Sequence, residues 1–213
     1  MTTLDYILKK FNITFNEKMR IPIEIPNFGR DNMASLFAEL KFKTGAEIGV
    51  CDGDYSESLA KNNPEMQLFS IDPWQGLPEY YDYRKKEIFE QMLVNATLKL
   101  KKYTNCTMVR KSSAEASKDF KDESLDMVYI DANHRLEFVI NDISIWLPKI
   151  KSGGIISGHD YLEITKPSHT HVFEAVNAYT KSYNIKPWFV LGRDTKVRGE
   201  IRDKRRSWMW VKQ

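Results

Sequence analysis

The apolar residues of this chain form short runs that alternate with segments of helical periodicity. The runs are bounded by polar residues or glycine, and they predict buried strands near residues 45–50, 67–72, 107–111, 125–131 and 154–160. Between the runs, apolar residues at three- and four-residue spacing predict helices, the longest of them within residues 79–103. Strands that alternate with helices are typical of an α/β fold with a parallel sheet. We therefore predict a doubly wound, Rossmann-like, mostly parallel sheet.

The two ends of the chain depart from this alternation. Two segments with helical apolar faces precede residue 44, so we expect residues 1–43 to form accessory helices. Near the other end, the runs 186–191 and 207–212 resemble strands and are joined by a charged connector, which predicts a C-terminal antiparallel strand pair. Residues 44–213 are expected to form one globular unit.

Charge and cysteine content limit the partners that this protein can have. The 32 basic and 29 acidic residues leave a net charge of +3, so no global field drives the chain onto nucleic acid or lipid. No apolar run reaches the roughly 18 residues that span a bilayer, and the first residues lack a signal-peptide pattern. Cys51 and Cys106 lie far apart, which fits a reducing compartment. We expect a cytoplasmic protein without a membrane partner. The sequence leaves open whether the protein forms a homo-oligomer.

A glycine-bearing turn follows the first central strand. Residues 46–53 read A-E-I-G-V-C-D-G, which places Gly49 and Gly53 where a strand gives way to a helix. Without a Cβ, glycine lets a ligand approach the backbone closely. Asp72 ends the next strand, where it could accept hydrogen bonds from ribose hydroxyls. Because the dinucleotide fingerprint G-x-G-x-x-G is absent, the pattern predicts an adenosine site without a pyrophosphate cradle.

The segment E-x-G-x-x-x-G resembles the first signature of class I S-adenosylmethionine-dependent methyltransferases, and the similarity extends over about residues 44–160. The resemblance implies methyl transfer from S-adenosylmethionine. It also implies that Gly49 and Gly53 face the methionine part of this cofactor and that Asp72 binds its ribose. Glu47 would orient the loop and the amino group of the cofactor.

The segments after the second and third central strands complete the cofactor site that the resemblance implies. Ser112 and Ser113 would flank the adenine, and Trp74, which directly follows Asp72-Pro73, could touch the adenosine. Simpler readings stay open for these residues, because a glycine turn is often only a tight connection and an aspartate at the end of a strand is often a turn residue.

Acids and histidines follow the fourth and fifth strands. Asp131 and His134 come after the fourth strand, and His159 and Asp160 lie at the end of the fifth. The carboxyl ends of these strands lie side by side at the switch point of a doubly wound sheet, so we expect the four side chains to share one pocket. Methyl transfer to a hydroxyl needs a base, and histidine titrates near neutrality. We predict His134 as this base, with His159 as the alternative.

The D-x-x-H spacing of Asp131 and His134 resembles certain sugar-directed O-methyltransferases, in which the aspartate binds a divalent metal and the histidine acts as base. Asp131 and Asp160 could accordingly hold Mg²⁺, which would lower the pKa of an acceptor hydroxyl. Metal-dependent O-methyltransferases usually carry two adjacent acidic or amide residues after the fifth strand, whereas His159-Asp160-Tyr161 leaves the site one oxygen ligand short. In the alternative without metal, Asp131 contacts the cofactor and Asp160 orients a histidine, and either histidine could be only a buried hydrogen-bonding group.

The connector before the last strand bears on the acceptor. Six lysines and arginines lie within residues 196–206, where they form either a solvated loop or a clamp for phosphate. We predict O-methylation of a small molecule, such as a sugar or an anionic nucleotide-linked sugar. The rival functions are N-methylation of nucleic acid or protein, cofactor binding without catalysis, and NAD-dependent dehydrogenation. N-methylation is disfavoured because D-A-N-H at residues 131–134 replaces the [D/N]-P-P-[Y/F] segment of amino-methylating enzymes. Dehydrogenation is disfavoured because the third glycine of the G-x-G-x-x-G fingerprint is missing.

Overall fold

The strands of the chain lie side by side in one mixed sheet. A computed structural model describes residues 1–76, 85–164 and 170–213, and in these ranges eight strands join the sheet. In chain order the strands are β1 (Ile23–Ile25), β2 (Thr44–Ile48), β3 (Gln67–Ile71), β4 (Cys106–Val109), β5 (Leu125–Ile130), β6 (Ile150–Tyr161), β7 (Phe189–Leu191) and β8 (Arg206–Val211). Their order across the sheet is β1-β7-β8-β6-β5-β2-β3-β4.

The strand directions confirm the predicted topology. Strand β8 runs antiparallel to both β6 and β7, and the remaining neighbours pair in parallel. The C-terminal antiparallel pair is therefore present, and β8 inserts between β6 and β7. As a result β2, β3, β5 and β6 all end at the same edge of the sheet.

Helices cover both faces of this sheet. They are α1 (Thr3–Lys10), α2 (Arg30–Glu39), α3 (Asp54–Asn62), α4 (Lys86–Leu100), α5 (Ser113–Ala116), α6 (Leu136–Trp146) and α7 (Val172–Ser182). Along β5, Val128 and Ile130 pack into the core under α6 and α7, whereas Met127 and Tyr129 pack into the core under α1, α2 and α3. Successive strand residues point to opposite faces, so this double coverage explains why the strands read as continuous apolar runs.

The N-terminal segment contributes a strand as well as helices. Strand β1 pairs in parallel with β7 at the sheet edge. The buried guanidinium of Arg206 on β8 reinforces this edge, because it donates to Glu24 Oε1 at 2.7 Å and to Asp194 Oδ1 at 2.8 Å. The division into accessory helices 1–43 and a globular unit 44–213 stays a prediction.

The long helix expected within residues 79–103 is present as α4, which begins at Lys86, and residues 79–84 of that range lie outside the described residues. In the described ranges, no helix has the length and apolar character needed to cross a membrane.

Candidate functional site

The glycine turn after β2 has a backbone that favours glycine. Gly49 and Gly53 both have positive φ, at 91° and 81°. A Cβ on Gly49 would lie 2.2 Å from the carbonyl oxygen of Asp131, and one on Gly53 would lie 3.2 Å from the Cα of Ala96. The missing side chains therefore let the turn pack closely against the end of β5 and against α4. Packing within the protein is therefore sufficient to explain why glycine occupies both positions. The contact of these glycines with a cofactor stays a prediction.

The carboxylate of Asp72 holds this turn in place. Its Oδ2 accepts hydrogen bonds from the backbone N–H groups of Val50 at 2.8 Å and Cys51 at 3.0 Å, and its Oδ1 accepts one from Trp74 at 2.6 Å. Burial raises the pKa of Asp72, although these three hydrogen bonds oppose the rise. A carboxylate has about four acceptor positions, and these three N–H groups are its hydrogen-bond partners among the described residues.

Trp74 and Glu47 both bond to residues in or beside the glycine turn. Trp74 is buried, and its indole N–H donates to the carbonyl of Cys51 at 2.9 Å. Glu47 is buried at the end of β2, where it accepts a hydrogen bond from the Ser56 hydroxyl of α3. Burial raises the pKa of Glu47 to about 8. Both side chains therefore support the turn from within the protein.

The two serines expected beside the adenine have partners of their own. Ser112 caps α5, with its hydroxyl and backbone N–H both bonded to Glu115. The Ser113 hydroxyl donates to Asp142 at 2.5 Å and accepts a hydrogen bond from the Trp146 indole at 2.9 Å. Both Asp142 and Trp146 are on α6, and Asp142 is buried, which raises its pKa to about 6. Helix α6 thus fixes the loop after β4.

The predicted catalytic side chains converge at the ends of β5 and β6. His134 Nε2 lies 3.3 Å from Asp131 Oδ1 and 3.4 Å from Asp160 Oδ2. His159 Nδ1 lies 3.0 Å from the same Asp160 oxygen and 3.8 Å from Asp131 Oδ2. The four residues therefore form one cluster, which we call the Asp131–His134 cluster.

Two arginines border the Asp131–His134 cluster. Arg205, from the connector before β8, forms an ion pair with Asp160 Oδ1. Arg30, the first residue of α2, places Nη1 3.9 Å from Asp131 Oδ2. Each acid of the cluster thus faces a guanidinium on one side and His134 on the other.

The neighbouring charges shift the pKa values of His134 and Asp160. Burial by itself would lower the pKa of His134, but its hydrogen bond to Asp131 and the charge of Asp160 outweigh burial and raise that pKa above its ordinary value. Burial alone would raise the pKa of Asp160, but His159, His134 and Arg205 hold it far below its usual range. The imidazolium form of His134 is therefore stabilised between two carboxylates.

Three side chains of the cluster could together hold a metal ion. Asp131, His134 and Asp160 each offer one ligand atom, and these atoms lie within 4.8 Å of one another. Two carboxylate oxygens suit Mg²⁺, whereas an imidazole nitrogen is more typical of transition-metal sites. If Nε2 of His134 bound a metal, it could not accept a proton from the acceptor, so the two roles exclude each other.

Three residues of the site were missed by the sequence interpretation. Arg30 lies in a segment assigned to accessory helices, and Arg205 was grouped with the connector as a whole. Neither had a local pattern that could have singled it out. Asp142 had one signal, because it is an acid on the apolar face of α6 that carries Val139, Ile143 and Trp146.

Comparison with known sequences identifies the family. A family model described as a methyltransferase domain matches residues 46–161, which is more than half of the chain and includes both the glycine turn and Asp160. A curated relative, the uncharacterised protein y4gI of Sinorhizobium fredii, is 25% identical over 117 residues. That match covers 54% of this chain but only 12% of the relative's length.

Solved structures share the architecture over nearly the whole chain. A putative caffeoyl-CoA O-methyltransferase from Staphylococcus aureus is 15% identical with a TM-score of 0.60. The O-methyltransferase TomG from Streptomyces achromogenes, solved with SAM, is 13% identical with a TM-score of 0.61, and a Bacillus cereus O-methyltransferase, solved with SAH, is 12% identical with a TM-score of 0.60. Each of these matches covers 99% of this chain and 90% of the other. At such identities the likeness establishes the fold, and the family model establishes the membership: this chain belongs to the methyltransferase-domain family, as its resemblance to class I methyltransferases predicted.

Proposed function

We propose that this protein is an S-adenosylmethionine-dependent O-methyltransferase that acts on a small molecule. The main support is the position of the glycine turn that Asp72 holds. This turn follows β2, and β2 is the neighbour of β5, which leads into the Asp131–His134 cluster. A donor site and a proton acceptor therefore share one edge of the sheet, which methyl transfer to a hydroxyl requires. The TomG and Bacillus cereus structures, which contain SAM and SAH, support the choice of cofactor.

We assign the cofactor to the edge formed by β4, β3, β2 and β5. S-adenosylmethionine would supply the methyl group as a sulfonium substituent. The Asp72 carboxylate would accept a hydrogen bond from a ribose hydroxyl, and the loop that holds Ser112 and Ser113 would flank the adenine. The backbone of Gly49 and Gly53 would face the methionine part, with Glu47 supporting the turn below it.

We assign proton removal to His134. An acceptor hydroxyl that entered between Asp131 and Asp160 would meet Nε2, which would take its proton as the methyl group moved from the sulfonium sulfur to the oxygen and left a neutral thioether. The two carboxylates, at 3.3 and 3.4 Å, then stabilise the imidazolium that results. The raised pKa of His134 supports this arrangement because it reflects the same stabilisation of the protonated ring.

We propose a sugar or a nucleotide-linked sugar as the acceptor, and two features support this proposal: the D-x-x-H spacing and the positive charge of Arg205 beside Asp160. A sugar hydroxyl suits the first, and an anionic group such as the diphosphate of a nucleotide-linked sugar suits the guanidinium groups of the connector. A screen with methyl-labelled S-adenosylmethionine over nucleotide sugars, free sugars and phenolic compounds would test this assignment. Label in a nucleotide sugar or a free sugar is the expected result, and label in phenolic compounds alone would contradict the proposed acceptor class. Transfer to nucleic acid or protein alone would instead establish one of the rival functions.

A metal-assisted form of the same reaction is favoured by the triangle of Asp131, His134 and Asp160. We propose Asp131 and Asp160 as ligands of Mg²⁺, which would lower the pKa of the acceptor hydroxyl. A chelator is then expected to abolish turnover, and added Mg²⁺ should restore it. Restoration by Mn²⁺ but not by Mg²⁺ would indicate that His134 is a ligand. Full activity in excess chelator would rule out the metal and leave His134 as the activating group.

A further inference from the structure

We propose that Arg30 binds the α-carboxylate of S-adenosylmethionine, an inference that rests on the proposed function. Arg30 is the first residue of α2, and its Nη1 lies 3.9 Å from Asp131 Oδ2. Its side chain is 33% exposed, so solvent reaches part of it. This arginine was not among the residues expected to bind the cofactor.

Tyr55 and Asp203 hold Arg30 at both its backbone and its head group. Tyr55 is buried in the first turn of α3, directly after the glycine turn, and its hydroxyl donates to the Arg30 carbonyl at 3.0 Å. The Tyr55 ring centre lies 5.2 Å from the guanidinium carbon, a cation–π distance. The Arg30 N–H donates to Asp203 at 2.8 Å. The guanidinium is thus positioned before any ligand arrives, which lowers the entropic cost of binding.

Few of the N–H donors of this guanidinium have a partner among the described residues. Arginine has five N–H donors. Across residues 1–76, 85–164 and 170–213, the guanidinium of Arg30 makes the long ion pair with Asp131 and the ring contact with Tyr55, and no hydrogen bond from it is found. A planar guanidinium that still has N–H donors to offer fits a carboxylate, because a carboxylate can accept hydrogen bonds from two parallel N–H groups.

The order of the strands places the amino-acid end of the cofactor beside Arg30. Strand β2 lies between β3, which ends at Asp72, and β5, which ends at Asp131. A cofactor whose ribose is bound by Asp72 crosses the glycine turn and brings its methionine part toward Asp131. That part carries one ammonium and one carboxylate group. Asp131 and Arg30 offer the complementary pair of charges at this position.

Calorimetry with three ligands can isolate the carboxylate contact. S-adenosylmethionine, decarboxylated S-adenosylmethionine and 5′-methylthioadenosine differ in the amino-acid part, and the second lacks only the carboxylate. Each would be titrated into the full chain and into its Arg30→Met and Arg30→Lys variants. Arg193→Met is the matched control, because Arg193 is an exposed arginine that pairs with Glu200 on the connector.

We expect the unmodified protein to bind S-adenosylmethionine about ten- to a hundredfold more tightly than the decarboxylated form, since a hydrogen-bonded charge pair contributes about that much. Arg30→Met should remove this preference by weakening the binding of S-adenosylmethionine and of no other ligand in the set. Affinity for 5′-methylthioadenosine should not change, Arg30→Lys should recover part of the preference, and Arg193→Met should behave like the parent.

Three results would overturn the assignment while leaving the proposed function intact. Equal weakening of all three ligands by Arg30→Met would mean that Arg30 only supports the fold of the turn. A preference for the carboxylate that survives in Arg30→Met would place the carboxylate elsewhere, and an increase in the acceptor KM alone would assign Arg30 to the acceptor. If the unmodified chain bound no S-adenosylmethionine, both the proposed function and this inference would be wrong.

Discussion

Replacement of His134 by alanine is expected to lower kcat by about 10²- to 10⁴-fold, the usual contribution of a general base. The reason is the position of Nε2, within hydrogen-bonding reach of Asp131 and Asp160, where the acceptor hydroxyl must meet the methyl group. Cofactor affinity should change little, because His134 is assigned to the acceptor side of the cluster. The measurement is steady-state kinetics with an acceptor identified in the labelled screen, together with calorimetry of S-adenosylmethionine.

The control for this prediction is His159→Ala. His159 contacts the same oxygen of Asp160, at 3.0 Å, so it tests whether any histidine in the cluster would serve. We expect the His159 variant to keep most of its kcat. If His159→Ala loses activity and His134→Ala keeps it, the base has been assigned to the wrong histidine. Activity in both variants would leave an aspartate or the metal as the activating group.

The pH dependence of kcat/KM, which reports the free enzyme, gives a second test of the same base. A base acts in its neutral form, so kcat/KM should fall as the pH decreases through the pKa of His134. Because the cluster raises this pKa, the fall should be centred above the ordinary histidine value of about 6.5. The His134→Ala variant should lack this acidic limb, whereas His159→Ala should retain it.

Replacement of Asp72 by alanine is expected to weaken S-adenosylmethionine binding by about tenfold or more. Loss of a charge-assisted hydrogen bond to ribose accounts for roughly 1.5 to 3 kcal/mol. The structure adds a second reason, because Asp72 also accepts the N–H groups of Val50, Cys51 and Trp74. Without this carboxylate the turn loses the partners that hold its backbone, so the cofactor surface itself is disturbed. Isothermal titration of S-adenosylmethionine measures the effect.

Two further variants separate these contributions. Asp72→Asn keeps one acceptor oxygen of similar shape and removes the charge, so it should lose less affinity than Asp72→Ala. Asp54→Ala removes an exposed acid of α3 that pairs with Lys99, and it should bind S-adenosylmethionine like the parent protein. Unchanged affinity in Asp72→Ala would contradict the ribose assignment. Tight NAD binding in place of S-adenosylmethionine binding would contradict the cofactor.

The alternation of strands and helices, the mostly parallel sheet and the C-terminal antiparallel pair could all be predicted from the sequence. These features depend on local periodicity, and burial on both faces leaves a clear mark in strands such as β5. The meeting of Asp131 and Asp160 was predictable for a related reason. Asp131 follows β5 and Asp160 lies near the end of β6, and parallel strands end at one edge of the sheet whatever their side-chain details.

The partners of the site residues were decided by the tertiary structure. Arg30 reaches Asp131 because α2 packs beside α3, and Arg205 reaches Asp160 because β8 inserts next to β6. Asp142 meets Ser113 only when α6 lies against the loop after β4. Such contacts join residues that are distant in the chain, and they depend on side-chain direction and on packing between elements. Neither leaves a periodic signal, so the sequence by itself determined the fold and the place of the site, while tertiary packing determined the charges that surround it.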